Sequence, residues 1–248
     1  MLFRYSVAMR RIFIADAHLQ QEQDENYQDM LRFLSGLRGT TSTLYIMGDF
    51  FEFWIGYPTV VFPHYVPLLE VLRELHASGT EIIYFEGNHD FHMGPFFIDT
   101  LRARVLPGPA DFMLDGRKAY LCHGDEVNNA DIPYRLLRAL FHSPVVRWLT
   151  HVVPPVVPNL IAERLGRKGR QNLRCKGENP AGRDILRGFA AKRFAEGYDM
   201  VISGHFHQPY IEQLPGFPGK QLVSLGDWAT RWSYAEMVDG EITLHTFT

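Results

Sequence analysis

The chain is expected to fold as a layered α/β sandwich with mixed sheets. Short apolar runs alternate with helical stretches over its first third, and two Asp-Gly hairpin signals follow later. Polar, metal-competent side chains recur just past the apolar runs, on the loops where such strands deliver functional groups. A length of 248 residues can bury a substantial core. It is most economically one domain, core at 9–133 and 177–248, interrupted by an insertion at 134–176.

RIFIA (11–15) and TLYIM (43–47) read as buried strands, and YQDMLRFLSGLR between them as an amphipathic helix. VPLLEVLRELHASG then supplies a second helix and EIIYF (81–85) the next strand, completing a second strand-helix-strand unit. DFMLDGRKAYLCHGD predicts a hairpin about Asp115-Gly116, DMVISGHFH a later buried strand, and SYAEMVDGEITLHTF a closing hairpin about Asp239-Gly240.

The insertion breaks that rhythm. YRLLRALFHSPVVRWLTHVVPPVVPNLIAERLGRKGRQNLRCK reads as helix, proline-rich corner, helix. Nine basic residues against Glu163 alone give it a charge of +8, so the net −3 of the chain conceals −11 elsewhere. Two cysteines, Cys122 and Cys175, form neither a disulfide framework nor a zinc knuckle, which points to a reducing compartment. The N-terminus carries no signal-peptide pattern, and Met9 is a possible natural start. No run of apolar residues is long enough to span a bilayer.

The chemistry is carried by Asp16 and His18 in ADAH, Asp49 in MGDFFE, Asn88 in GNHD, His123 in CHGD, and His205 with His207 in GHFH. Oxygen and imidazole donors without thiolate suit Mn, Fe, Zn or similar divalent ions, and seven donors are too many for one ion. Two metals bridged by an aspartate such as Asp49 are the natural reading. The i, i+2 spacing of Asp16 with His18, and of His205 with His207, would point both side chains one way on an extended backbone. Gly48, Gly87, Gly124 and Gly204 flank the ligands, where the chain is expected to turn sharply. Singly, each motif has a structural explanation, but five at strand ends in a workable order do not arise by coincidence.

These motifs, DxH, GDxxE, GNHD, HGD and GHxH, resemble the calcineurin-like metallophosphoesterases over nearly the whole chain. The resemblance implies a four-layer α-β-β-α metallophosphoesterase sandwich with a helical cap. It also implies two divalent ions, most readily Mn2+ with Fe, Zn or Mg as alternatives. Asp16, His18, Asp49 and His207 would hold one, and Asp49, Asn88, His123 and His205 the other. The nucleophile it implies is hydroxide bridging the ions.

Within that family, GDFFEFWIG, GNHDF, LCHGDEVNNAD, GHFHQP and SLGDW resemble the UDP-2,3-diacylglucosamine hydrolases of lipid A synthesis. Those enzymes release UMP and the lipid 1-phosphate and carry a basic, apolar helical insertion that holds the acyl chains and faces the inner membrane. By that likeness the partners are a lipid-linked nucleotide sugar and the membrane surface, met through 134–176. The same likeness implies a cytoplasmic location, peripheral on the inner membrane. Substrate contacts would come from Asn88, His89, Asp131, Asn172, Lys176 and His205, with Arg170 or Arg174 as substitutes on an insertion that only approximates the usual Ser, Asn and Lys spacing. Little aromatic interleaving supports nucleic acid as the partner of the positive charge.

One departure concerns His89. The lipid A hydrolases usually read GNRD, whereas this chain reads GNHD. Arginine only stabilises charge, while histidine can also give up a proton near neutral pH. A departing phosphate, with a pKa around 6, leaves unprotonated. An alkoxide, nearer about 15.7, would gain roughly 10²–10⁴-fold from an acid. His89 therefore admits a second enzyme class, a phosphomonoesterase or phosphodiesterase with a soluble substrate. A third reading is a peripheral membrane binding protein with a structural metal site. Asp49, His89 and Glu52 are the expected catalytic residues, Glu52 by pairing with His89 and keeping it charged.

Overall fold

The computed structural model describes residues 9–128, 132–155, 157 and 180–248. Strands β1 (Arg11–Ile14), β2 (Thr43–Ile46), β4 (Glu81–Phe85) and β6 (Arg104–Leu106) run parallel, with α1 (Glu25–Gly36) and α2 (Val66–Ala77) between the first three. The closing hairpin, β12 (Ser233–Val238) and β13 (Glu241–Thr246), adds antiparallel to β1 and completes a six-stranded sheet. The second sheet has the order β10 (Pro209–Glu212), β11 (Gln221–Leu225), β9 (Met200–Ser203), β8 (Arg117–Cys122), β7 (Ala110–Leu114), its central three strands parallel. A short pair, β3 (Trp54–Ile55) with β5 (Asp90–Phe91), links two of the motif loops.

Strand alternation decides which layer each side chain enters. On β1, Ile12 and Ile14 pack under α1 and α2, while Phe13 and Ala15 face the second sheet; Leu44 and Ile46 against Tyr45 and Met47 repeat this on β2. From the other sheet Leu121, Ile202 and Val223 meet Phe13 and Tyr45 in the inter-sheet core. Cys122, Val201 and Leu222 face outward onto Leu186, Ala190 and Phe194 of α5 (Pro180–Ala195). Three cores between four layers give the α-β-β-α order. Fully buried Trp54 and Trp228 anchor the α1/α2 layer, each such side chain stabilising the fold by roughly 1.5–3 kcal/mol.

Both expected hairpins form, and all the named core strands and helices appear. The insertion differs from expectation. Its first helical stretch is two short helices, α3 (Ile132–Phe141) and α4 (Pro144–Leu149), broken at His142-Ser143, ahead of the proline-rich corner. Pro144 has no N–H to continue α3, and the Ser143 hydroxyl caps α4 by accepting from Val146 N at 3.3 Å. The second expected helix lies outside the described residues.

Candidate metal centre

Six parallel strands end at one edge, and each delivers a functional loop: β1 to Asp16 and His18, β2 to Asp49, β4 to Asn88, β8 to His123, β9 to His205 and His207, and β11 to Asp227. Register explains the convergence, since Ile14 pairs with Ile46, Ile46 with Tyr84, and Cys122 with Ser203, so the exits are level.

The extended-backbone expectation is corrected here. Asp16, His18, Asp49, His205 and His207 lie beyond their strands at φ of 52°, 46°, 52°, 67° and 57°. A pleated continuation would keep each loop in its own sheet. The left-handed residues instead curl the loops over the sheet edge, while Asp16 N and His18 N still donate to Gly48 O and Asp49 O at 3.1 and 3.0 Å. Two of the flanking glycines also act differently from expectation. Gly48 and Gly124 turn at positive φ, whereas a Cβ on Gly87 would sit 2.2 Å from Asp49 Oδ1 and one on Gly204 2.8 Å from Asp16 Oδ2, so these two make room for carboxylates.

The donors form clusters. Asp16, His18 and His207 present ligand atoms within 4.8 Å of one another, as do Asp49, His123 and His205, and also His18, Asp49 and His89. Asp49 Oδ2 lies 3.9 Å from His18 Nε2 and 3.5 Å from His123 Nε2, between the two histidine groups. Asn88 Oδ1 is 3.2 Å from His123 Nε2. Asp16 reaches both ways: Oδ1 is 3.6 Å from His207 Nε2, and Oδ2 accepts from His205 N at 2.7 Å.

Asp16 Oδ1 and both ring nitrogens of His18 are buried without a hydrogen-bond partner. Leaving such groups unsatisfied costs about 1–3 kcal/mol each, so the donor set fits a cation. Its electrostatics agree. Burial alone would lower His123, but the Asp49 and Asp16 carboxylates outweigh it and hold the imidazole well above its usual range. His207 is likewise raised against burial by Asp16 and Asp227. His205, lowered by burial and by His123 to about 3, stays neutral and ready to ligate. The carboxylates require positive charge, and divalent ions would supply it in place of these protons.

Around the cluster, Asp90 holds the loops together. It accepts from Asp49 N and Gly87 N at 2.9 Å through Oδ1, and from Phe50 N and Tyr84 Oη at 2.7 and 2.5 Å through Oδ2. His89 N donates to Asp49 Oδ1 at 2.9 Å. Its ring Nδ1–H donates to the backbone carbonyl of Glu52 at 2.8 Å, which leaves Nε2 as the ring nitrogen without that tie. The Glu52 carboxylate does not make the expected pair with His89; Oε2 lies 3.5 Å from His18 Nδ1. Glu52 immediately follows the Phe50-Phe51 turn pinned by Asp90, which aims its carbonyl rather than its side chain at the GNHD loop.

Asp227 was not among the expected site residues. It caps α6 (Trp228–Arg231), accepting from Thr230 N at 2.6 Å and from Arg231 Nη1 at 2.6 Å, with Oδ2 3.7 Å from His207 Nδ1. Trp228 N and Ala229 N donate to Ala15 O and Asp16 O. The signal that could have found it is the repeat of IMGD (46–49) as SLGD (224–227), an apolar strand followed by Gly-Asp. Asp131, Asn172 and Lys176 lie outside the described residues.

Donor clusters joined by one carboxylate, at the carboxyl edge of a two-sheet sandwich, define a class: hydrolases that act on phosphoryl groups with a pair of divalent cations. The chain belongs to the calcineurin-like phosphoesterase family, which it matches over residues 9–209. It is similar to the UDP-2,3-diacylglucosamine hydrolase of Pseudomonas putida, 32% identical over 92% of this chain and 94% of that one. The protein of the same name from Ectopseudomonas mendocina is 32% identical over 93% of this chain and 94% of its own. Among solved structures, GAP50, the anchor in the inner membrane complex of Plasmodium, shares the fold at a TM-score of 0.50 and 12% identity, covering 95% of this chain and 83% of that one.

Proposed function

We propose that this chain hydrolyses the pyrophosphate of UDP-2,3-diacylglucosamine to UMP and 2,3-diacylglucosamine 1-phosphate, using two Mn2+ ions. The observation that carries the reading is the extent of the likeness. An alignment covering 92% of the chain leaves out too few residues to omit the 134–176 insertion, so hydrolases of that name match core and insertion together.

Asp16, His18, Asp49 and His207 would hold one ion, and Asp49, Asn88, His123 and His205 the other. When bound, the ions would ionise water at neutral pH and neutralise phosphoryl charge. The protein's own part is to place and charge His89. Burial opposes its protonation, but Asp49 and Glu52 prevail and raise its pKa. With Nδ1 committed to the Glu52 carbonyl, Nε2 would serve as the cation facing the leaving phosphate, which departs unprotonated.

The insertion supports a lipid-linked substrate. Leu136, Leu140, Val145, Trp148 and Val152 are exposed on and just after α3 and α4, within a segment of charge +8. Acyl chains buried against such a surface would gain about 0.8 kcal/mol per methylene, while its cations meet anionic headgroups. Among the described residues no helix is long and apolar enough to cross a membrane. The likeness to the lipid A hydrolases supports peripheral attachment at the cytoplasmic face of the inner membrane. The test is UMP release from UDP-2,3-diacylglucosamine with Mn2+, beside a chromogenic phosphodiester. Turnover of the diester alone would replace this reading with a soluble-substrate phosphodiesterase, the class His89 permits. Asp49→Asn is expected to abolish turnover and Mn2+ uptake together.

A further inference from the structure

Helix α3 opens the insertion, yet apolar burial does not dock it. Leu136 and Leu140 are 67% and 57% exposed. Specific contacts at its middle and its end hold it. Arg138 Nε donates to Asp125 Oδ2 at 2.5 Å, onto a carboxylate with no solvent exposure, and Arg138 Nη2 donates to Pro107 O at 3.3 Å. Just past the helix, His142 Nδ1 lies 3.3 Å from Glu86 Oε2, another shielded carboxylate. The Phe141 ring stacks on Phe91 with centroids 5.4 Å apart, and the Phe141 carbonyl lies 3.0 Å from His92 Nε2.

Where these contacts land gives them meaning. Asp125 follows His123 by two residues in the HGD loop, and Glu86 precedes Asn88 by two in the GNHDF loop. The second oxygen of Glu86 accepts from Met93 N at 3.2 Å, so Glu86 also ties the far side of that loop. One helix thus grips both loops that bring Asn88 Oδ1 and His123 Nε2 to 3.2 Å. The opposite donor group has its own support, since Asp227 faces His207 Nδ1 and Arg231 Nη1 donates to His207 O at 2.8 Å.

We propose that Arg138 and His142 are positioning residues which, through Asp125 and Glu86, hold Asn88 and His123 in register for the second cation. The docked insertion is then part of the metal centre as well as a surface for substrate. This rests on the two-cation reading of the site. Partners that orient metal ligands typically change affinity by about 10–100-fold when removed, and a helix that touches neither ligand directly can act at that scale.

The test is titration of the metal-free full chain with Mn2+ alone, followed by electron paramagnetic resonance of the free ion. Wild type is expected to take up two ions. R138A and H142A should bind one as wild type does and the other roughly 10–100-fold more weakly. R138K and H142N, which keep a donor at the contact, should recover part of the loss and keep the test open should the alanine variants not fold. D227N, which loosens the His207 side, should weaken mainly the other ion, so that both are weakened in R138A/D227N. Wild-type affinity for both ions in R138A and H142A overturns the inference, as does equal weakening of both ions or loss of the same ion in R138A and D227N. Uptake of fewer than two ions by wild type overturns instead the two-cation reading on which it stands.

Discussion

At the scale of single residues, the site combines donors in unfavourable backbone states with neighbours that compensate them. A left-handed φ costs an L-residue roughly 1–2 kcal/mol, and five of the proposed ligands adopt one. Asp90 helps hold such a conformation at Asp49. Burial and the Asp49 carboxylate push Asp90 up to about 7, while its N–H and O–H donors pull the other way. Asp90→Asn would set an amide NH2 against donors that now find an oxygen, orphaning at least one buried N–H. The expected cost is about 1–3 kcal/mol, which for a chain of this size lowers Tm by roughly 2–12 °C, read by thermal melt. His89→Arg is expected to retain pyrophosphate cleavage and to lose roughly 10²–10⁴-fold on an alkyl phosphodiester. Equal changes on the two substrates would show that His89 acts only as a cation.

At the scale of elements, the short helix α6 links the β11 exit to the first donor cluster. Burial alone would raise Asp227, but the His207 ring 3.7 Å away and hydrogen bonds from Thr230 and Arg231 outweigh it and hold the carboxyl at about 2. Its folded-state pKa is therefore depressed. The stability it contributes is present above the ordinary value of about 3.9 and is lost as pH falls through about 2. Asp227→Asn in chelator-treated protein should remove about 2–3 kcal/mol at neutral pH and flatten the acid limb of a denaturation series between those values. An unchanged acid limb would show that the Asp227 contacts are not coupled to folding.

At the scale of the whole molecule, two sheets meet so that cation binding joins loops from both. Mn2+ should therefore stabilise the fold globally: each ion at a hundredfold excess over its Kd adds about 2.7 kcal/mol, and EDTA should reverse the rise in Tm. The proposed membrane attachment predicts binding of the whole chain to anionic vesicles. Replacing Arg167, Lys168 and Arg170 with glutamine removes about 1 kcal/mol per charge at an anionic surface. Flotation with anionic liposomes should then fall roughly a hundredfold while turnover of a soluble diester is unchanged.

The strands and helices named for the core, both hairpins and the seven candidate donors could be read from the chain because each rests on local pattern: short apolar runs, helical periodicity, Asp-Gly turns, and polar residues placed just past the runs. Local pattern could not reveal how the loops curl. The left-handed φ at Asp16 and His205, the Glu52 carbonyl that replaces its carboxylate at His89, and the room made by Gly87 and Gly204 are set by loops from distant parts of the chain competing for one small volume. The same holds for Asp227 with His207, Asp125 with Arg138, and Glu86 with His142, where charged partners meet across separate elements. Apolar runs and helical periodicity indicated a layered α/β sandwich, and the short motifs indicated the donors. Only the level exits of six parallel strands decided which donors cluster and which residues brace them, because that depends on distances between segments remote in sequence.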